Sequence, residues 1–276
     1  MLFTLKDMLL LTSMVINKSN LELWNKLYKN FTDEKCLSCY KQTTTNKKMG
    51  YPEQIPFIGS KYESEPHRLM FVGIETYGNP ERTSLDTDYE KSRFKTELIE
   101  EYFKEKKKPF WRWVNEISTS VINSKDEDYV LSCIAYTNLH KCEVRLSDMD
   151  SSNYELDDMS FENCIRNQGW IFKEIEELKP KNVIVFAGRK DEGRLAKLFL
   201  GNEKLFSNFN YSKYSDLTSK QLERWKNDVF IHLRDGDRRF IITNHPQGTS
   251  KIIRSKIIDL ILDPNSIGEA KKWKMR

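Results

Sequence analysis

The residues with the clearest chemistry fall into two sets. The first is a cysteine pair, Cys36 and Cys39 in Cys-Leu-Ser-Cys, followed far along the chain by Cys142 and Cys164. A two-residue gap lets both thiolates of such a pair face one metal ion, and the same spacing serves thiol redox chemistry. The second set comprises Glu75 in Gly73-Ile74-Glu75-Thr76-Tyr77, Asn138 in Thr137-Asn138-Leu139-His140-Lys141-Cys142, and His245 in Asn244-His245-Pro246-Gln247-Gly248. A carboxylate can orient a water, an amide can hydrogen-bond a ligand edge, and an imidazole can stabilise a departing anion. Each is an ordinary loop residue when isolated, so their weight depends on whether the fold brings them together.

Four runs nearly continuous in apolar residues supply the elements that would do so: Arg68–Gly73, Tyr129–Asn138, Asn182–Gly188 and Arg238–Asn244. That pattern marks strands covered on both faces, as in a parallel sheet. The intervening stretches are long enough for crossover helices, expected at Tyr89–Lys106, Phe110–Asn123, Phe161–Leu178, Lys190–Leu200, Ser215–Asn227 and Ser250–Leu262. The alternation predicts an α/β fold, a three-layer α/β/α sandwich around a four-stranded parallel sheet. Helical stretches at Leu2–Ile16 and Asn20–Tyr28 predict an N-terminal helical cap, with residues 1–64 forming the cap and 65–276 the α/β domain. Polar stretches at Thr43–Lys48 and Arg145–Ser160 read as surface loops. Ligands of open α/β sheets gather beyond the carboxyl ends of the strands. Glu75, Asn138 and His245 each follow or end one of the four runs, so they are expected on one rim. Cys133 falls inside the second run and reads as a buried small hydrophobe.

Composition narrows the classes further. The 276 residues are 38% hydrophobic and 31% charged, and no apolar run approaches the ~20 residues of a membrane span. The apolar opening MLFTLKDMLLLTSMV is interrupted by Lys6 and Asp7 and lacks the flanks of a secretory signal. A cytoplasmic protein without a membrane partner is expected, in which metal binding or redox chemistry outranks disulfide formation. The formal charge of +4 is small, so an argument for a polyanionic partner rests on where the charges lie. Basic and aromatic residues interleave at Lys104–Trp113, a mixture that suits either DNA contact or a solvated helix face.

In order, a CxxC, a strand ending LMFVG, a TNxxKC, a cysteine at a helix start before LKPKNVIVFAGR, and a strand ending in His-Pro resemble the iron–sulfur branch of the uracil-DNA glycosylase superfamily over about Cys36–Leu262. The resemblance implies a [4Fe–4S] cluster on Cys36, Cys39, Cys142 and Cys164. Zinc would be satisfied by the same four thiolates. It implies that Asn138 reads the base and His245 assists the leaving group; Glu75, by its position after the first strand, is the carboxylate that could orient water. Gly73 would permit close approach of the base, and Tyr77 would stack on it or select it. It also implies that the loop Gln247, Gly248, Thr249, Ser250 and Lys251 contacts DNA, where the start of the last helix can hold a phosphate.

Two departures stand out: Ile74 occupies the position where iron–sulfur members carry the carboxylate, and His245-Pro246-Gln247 replaces His-Pro-Ser. The expectation is a DNA glycosylase that flips out and excises uracil or a modified pyrimidine, such as a phage modified cytosine in anti-phage defence. DNA is its partner, and no obligate protein partner is evident. The alternatives are a catalytically silent binder of modified DNA and an iron–sulfur α/β protein with a redox or small-molecule role.

Overall fold

The computed structural model describes residues 22, 26, 47–52, 56–74, 99–139, 141–146, 164–165, 169–187, 209–214, 230–235, 238–247, 249 and 251–263. Nine strands are present among them: β1 (Lys47–Pro52), β2 (Phe57–Ile58), β3 (Leu69–Gly73), β4 (Ile134–Asn138), β5 (Cys142–Leu146), β6 (Asn182–Ala187), β7 (Phe209–Tyr214), β8 (Phe230–Asp235) and β9 (Arg238–Asn244). Four helices with described ends accompany them: α1 (Pro109–Ile122), α2 (Glu127–Ser132), α3 (Trp170–Leu178) and α4 (Lys251–Leu262). Residues 99–105 are also helical.

The main sheet is mixed, with strand order β2-β4-β3-β6-β9-β8-β7. Its centre, β4-β3-β6-β9, is parallel throughout and consists of the apolar runs that predicted strands. The expected four-stranded sheet is therefore the core of a seven-stranded one. At its edges β2 pairs antiparallel with β4, β8 with β9, and β7 with β8. The β8–β9 hairpin has Asp235 opposite Arg238, and the Gly236-Asp237 pair that separates them in sequence, with glycine first, is a hairpin signal.

A second correction concerns Tyr129–Asn138. Only Ile134–Asn138 is strand; Glu127–Ser132 forms α2 instead. The side chain of Asp126 accepts a hydrogen bond from the Tyr129 amide at 3.1 Å, and Glu127 and Asp128 lie in the first turn. An aspartate cap and acidic first-turn residues favour a helix start. Cys133 accordingly lies at the C-cap of α2, not inside a strand, although it is buried. A third correction is the antiparallel pair β1–β5, which places Lys47, Lys48, Arg145 and Leu146 in strands where loops were expected.

Both faces of the parallel block are buried. Leu69, Phe71, Ile134, Tyr136, Ile184, Phe186 and Ile241 form one core with Trp111, Val114 and Ile117 of α1 and Ile253, Ile257 and Leu260 of α4. Each large apolar side chain so buried contributes about 1.5–3 kcal/mol. Alternation turns Met70, Val72, Ala135, Thr137, Val183, Val185, Phe240 and Ile242 to the other face, where all are buried. That face holds α3 through Lys141, whose Nζ donates to Thr137 Oγ1 at 2.8 Å and to the Asn138 carbonyl at 2.7 Å. The same Nζ lies 2.6 Å from Glu174 Oε1 on α3, with both side chains fully buried. Helices thus cover both sides of the sheet.

Helix α1 begins at Pro109 and stops at Asn123, which takes the left-handed conformation; proline suits a first helical position and asparagine a left-handed stop. The expected helix Phe161–Leu178 has a described helical portion at Trp170–Leu178, opened by Gly169, besides residues 164–165. The expected helices Lys190–Leu200 and Ser215–Asn227, and nearly all of the N-terminal cap, lie outside the described residues. Glu22 and Lys26 are helical, and Lys26 pairs with Glu177 of α3. Residues 47–58, assigned on sequence grounds to the N-terminal segment, contribute β1 and β2. No helix among the described residues is long and apolar enough to cross a membrane.

The buried Lys141–Glu174 pair sets a stability expectation. Burial pushes the Glu174 carboxyl well up, so its charge depends on the ammonium beside it. Removing one partner of a buried pair costs about 3–5 kcal/mol, whereas replacing both with apolar residues of similar size is far less costly. Urea unfolding should show a large loss for Glu174→Ala and a smaller one for Lys141→Met combined with Glu174→Leu. Equal losses would place the stabilisation in packing, not charge.

Candidate active site

The order of the parallel strands locates a crevice before any residue is assigned. The chain goes from β3 outward to β4 on one side, then returns to β6 on the other side of β3. This reversal makes the carboxyl ends of β3 and β6 a topological switch point, the usual ligand position in open α/β sheets. Gly73 ends β3, Asn138 ends β4, and His245 follows β9.

Gly73 and Asn138 are register partners in parallel strands. The Leu139 amide donates to the Gly73 carbonyl at 2.8 Å, extending the pairing one residue past β4. A Cβ on Gly73 would lie 2.3 Å from Asn138 Oδ1 and 3.4 Å from the Tyr136 hydroxyl oxygen. Only glycine leaves room for the amide there. Asn138 is fully buried, and its Oδ1 accepts a 2.7 Å hydrogen bond from the Tyr136 hydroxyl. Its backbone carbonyl is held by Lys141. Side chain and main chain of Asn138 are therefore fixed by different groups, one on each side of the sheet.

His245 is partly buried, and its Nδ1 accepts a hydrogen bond from the Gln247 amide at 3.2 Å. An acceptor at Nδ1 assigns the proton of the neutral ring to Nε2, making Nε2–H the donor. The hydroxyl of Thr249 donates to the His245 carbonyl at 2.8 Å, closing the turn that carries the ring. Burial lowers the His245 pKa, favouring the neutral imidazole.

Phe110, the second residue of α1, joins these parts. Its ring centroid lies 6.3 Å from that of His245 at an interplanar angle of 22°, 5.5 Å from Tyr136 and 5.2 Å from Phe186. Trp111 closes on Tyr136 at 4.8 Å. Phe110 lies in the basic and aromatic stretch that sequence reasoning read as either DNA contact or a solvated face. The structure divides that stretch: Trp111 and Trp113 are core residues, while Lys104, Lys106 and Lys107 pair with Asp128, Glu127 and Glu105. The cue for Phe110 was its place after Pro109 at the start of a helix leading back across the sheet.

The remaining candidates divide as follows. Gln247 and Lys251 are exposed, and Ile252 beside them is 44% exposed, an apolar side chain next to the loop that sequence reasoning did not single out. Glu75, Tyr77, Gly248, Ser250, Cys36 and Cys39 lie outside the described residues. Cys142 opens β5, with Pro52 opposite it in β1, and Cys164 is buried. No group of metal-ligating side chains occurs among the described residues. No family model matches the chain, and no curated protein matches its sequence.

The His245 environment predicts a measurable titration. Because its folded pKa is lowered, the ring should protonate below the ordinary value of 6.5. The unfolded chain then takes up the proton first, so this group's contribution to stability is present above pH ~6.5 and is lost as pH falls through the folded pKa. An NMR titration of the His245 ring should give a midpoint below 6.5. A midpoint at or above it would contradict the neutral ring.

Proposed function

We propose that the protein is a DNA glycosylase that flips out a uracil or modified pyrimidine base and hydrolyses its N-glycosidic bond, leaving an abasic site. One observation carries the reading: an amide, an imidazole and an aromatic ring, Asn138, His245 and Phe110, are assembled on one side of the strand ends at a switch-point crevice. The residues match the motifs whose resemblance suggested the activity, and the aromatic ring adds a surface for a flat base.

Base excision asks three things of such a site. The base must leave the stack and be held by its edge; Asn138 would supply the edge contact and Phe110 an aromatic surface. Negative charge develops on the departing base, and a donor already in place stabilises it most in the transition state. The Nε2–H of His245 would be that donor, with its proton held on Nε2 by the Gln247 amide at Nδ1. Water must then reach the cationic sugar, and Glu75, just beyond the end of β3, would orient it. Gln247, Lys251 and the exposed Ile252 would meet the DNA strand beside the site, together with Gly248, Thr249 and Ser250.

Cys36, Cys39, Cys142 and Cys164 would hold a [4Fe–4S] cluster, with zinc the alternative for the same donors. Four thiols are a suitable donor set, and the pairing of Pro52 with Cys142 brings the chain that follows the Cys36–Cys39 pair alongside Cys142. When bound, the cluster would crosslink the N-terminal segment to the domain rather than take part in bond cleavage. A silent binder of modified DNA remains the competing reading.

Single-turnover assays on DNA carrying uracil or a modified pyrimidine should count abasic sites with wild-type protein. His245→Ala should slow excision by ~10²–10³ while leaving DNA affinity nearly unchanged. Tight binding of modified DNA without abasic sites would favour the silent binder, and wild-type rates for His245→Ala would remove the histidine from the chemistry.

A further inference from the structure

We propose that the amino-terminal ends of β3, β6 and β9 form a binding site for a phosphate group, with Arg68, Lys181 and Arg238 as its cations and the Tyr62 hydroxyl as its neutral donor. The site lies at the opposite end of the strands from the crevice, ~16 Å away along the five residues of β3. It does not depend on the base-excision reading.

Parallel pairing brings the three cations into one row. Leu69 is the register partner of Asn182, and Asn182 of Arg239. The residues immediately before these, Arg68, Lys181 and Arg238, therefore stand side by side at the entry of three adjacent strands. The Lys181 amide donates to the Arg68 carbonyl at 3.2 Å, and the Arg239 amide donates to the Lys181 carbonyl at 2.7 Å. With strands ~4.8 Å apart, like charges in such a row are unfavourable unless an anion answers them. Among the described residues none of the three pairs with a carboxylate. Arg239 differs: its guanidinium donates to Asn182 Oδ1 at 3.1 Å and to the Ile261 carbonyl at 3.3 Å.

Two further observations at this row point to a ligand. Arg68 has a φ of 37°, a left-handed conformation that glycine adopts freely and arginine does not; such strain persists mainly where a function requires the side chain. Tyr62 is fully buried, yet its hydroxyl has no hydrogen-bond partner among the described residues. A buried hydroxyl left so is unfavourable and calls for an acceptor. Burial raises the Tyr62 pKa, while the charges of Arg68 and Arg238 oppose the rise. Both guanidiniums are thus within electrostatic reach of that hydroxyl.

A phosphate dianion answers each of these features. Guanidinium groups match its oxygens in pairs, and lysine adds a point charge. Arg68 and Arg238 are only half-buried, so their stems can turn to admit the anion and leave one of its oxygens to accept from Tyr62. A row three strands wide spans ~10 Å, a width suited to a single phosphate group.

Thermal melting of the full chain at matched ionic strength tests the site. Sodium phosphate is compared with sodium chloride, and a 5′-phosphorylated oligonucleotide with the same oligonucleotide bearing a 5′-hydroxyl. Phosphate should raise the wild-type melting temperature progressively with concentration, as a ligand of the folded state alone requires. A response to inorganic phosphate identifies the free anion as ligand; one confined to the phosphorylated oligonucleotide identifies a terminal phosphate. Arg68→Gly removes a cation and suits the left-handed backbone, so without phosphate it should melt no lower than wild type. Its phosphate affinity should fall at least ~10-fold, the scale of one hydrogen bond to a charged group. Tyr62→Phe should likewise keep its stability and lose affinity, whereas a purely structural tyrosine would lose stability and leave the phosphate response intact. If Arg68→Gly does not fold, Arg238→Gln must show the loss of affinity. Melting that responds to neither form of phosphate, or a response that persists in all these variants, overturns the site.

Discussion

The arrangement at the strand ends depends on one close approach. Gly73 and Asn138 face each other across parallel strands, and the Asn138 oxygen sits where any side chain on residue 73 would begin. With that space clear, the Tyr136 hydroxyl can hold the oxygen from within the core while Lys141 holds the carbonyl of the same residue from the other side. The ring that fixes Tyr136 is Phe110, and Phe110 also lies against His245. Packing beneath the crevice thus links an amide on β4 to an imidazole beyond β9, although β3 and β6 lie between their strands. At ~4.8 Å per strand the two backbones are too far apart for direct contact, so the aromatic ring is the physical connection.

Much of this was legible in the residues because the central strands are buried on both faces. LMFVG, IAYTN, NVIVFA and RRFIITN leave no solvated side, and such runs are hard to read as anything but strands of a parallel sheet. The outer strands carry a weaker signal. FNYSKY and FIHLRD mix polar with apolar residues, as edge positions allow, and the cue that joins FIHLRD to RRFIITN is only the short Gly236-Asp237 pair. Tyr129 and Val130 looked like strand residues because their side chains suit either state; the Asp126 cap and the acidic first turn decided for helix. β1 (KKMGYP) and β5 (CEVRL) show no run of apolar residues, so their backbone pairing is not revealed by composition.

The candidate site was partly legible for a related reason. Asn138 and His245 follow strands, so reading the strands located them, and parallel pairing brought their ends to one edge. Phe110 comes from a helix, and in KKPFWRW only its place directly after Pro109 sets it apart from Trp111 and Trp113, which are core. Tyr136 lies inside the second apolar run, and its hydrogen bond to Asn138 is visible only in the structure. Burial favours the neutral imidazole at His245 and the protonated phenol at Tyr136, whose hydroxyl donates to Asn138 Oδ1.

The most direct test is to see where a base binds. A crystal structure of His245→Ala protein with single-stranded DNA carrying one uracil would trap the complex before excision. The expected result is a flipped base beyond the ends of β3 and β4, with its edge on Asn138 and its face against Phe110. A base bound elsewhere, or DNA held with every base still stacked, would contradict the account.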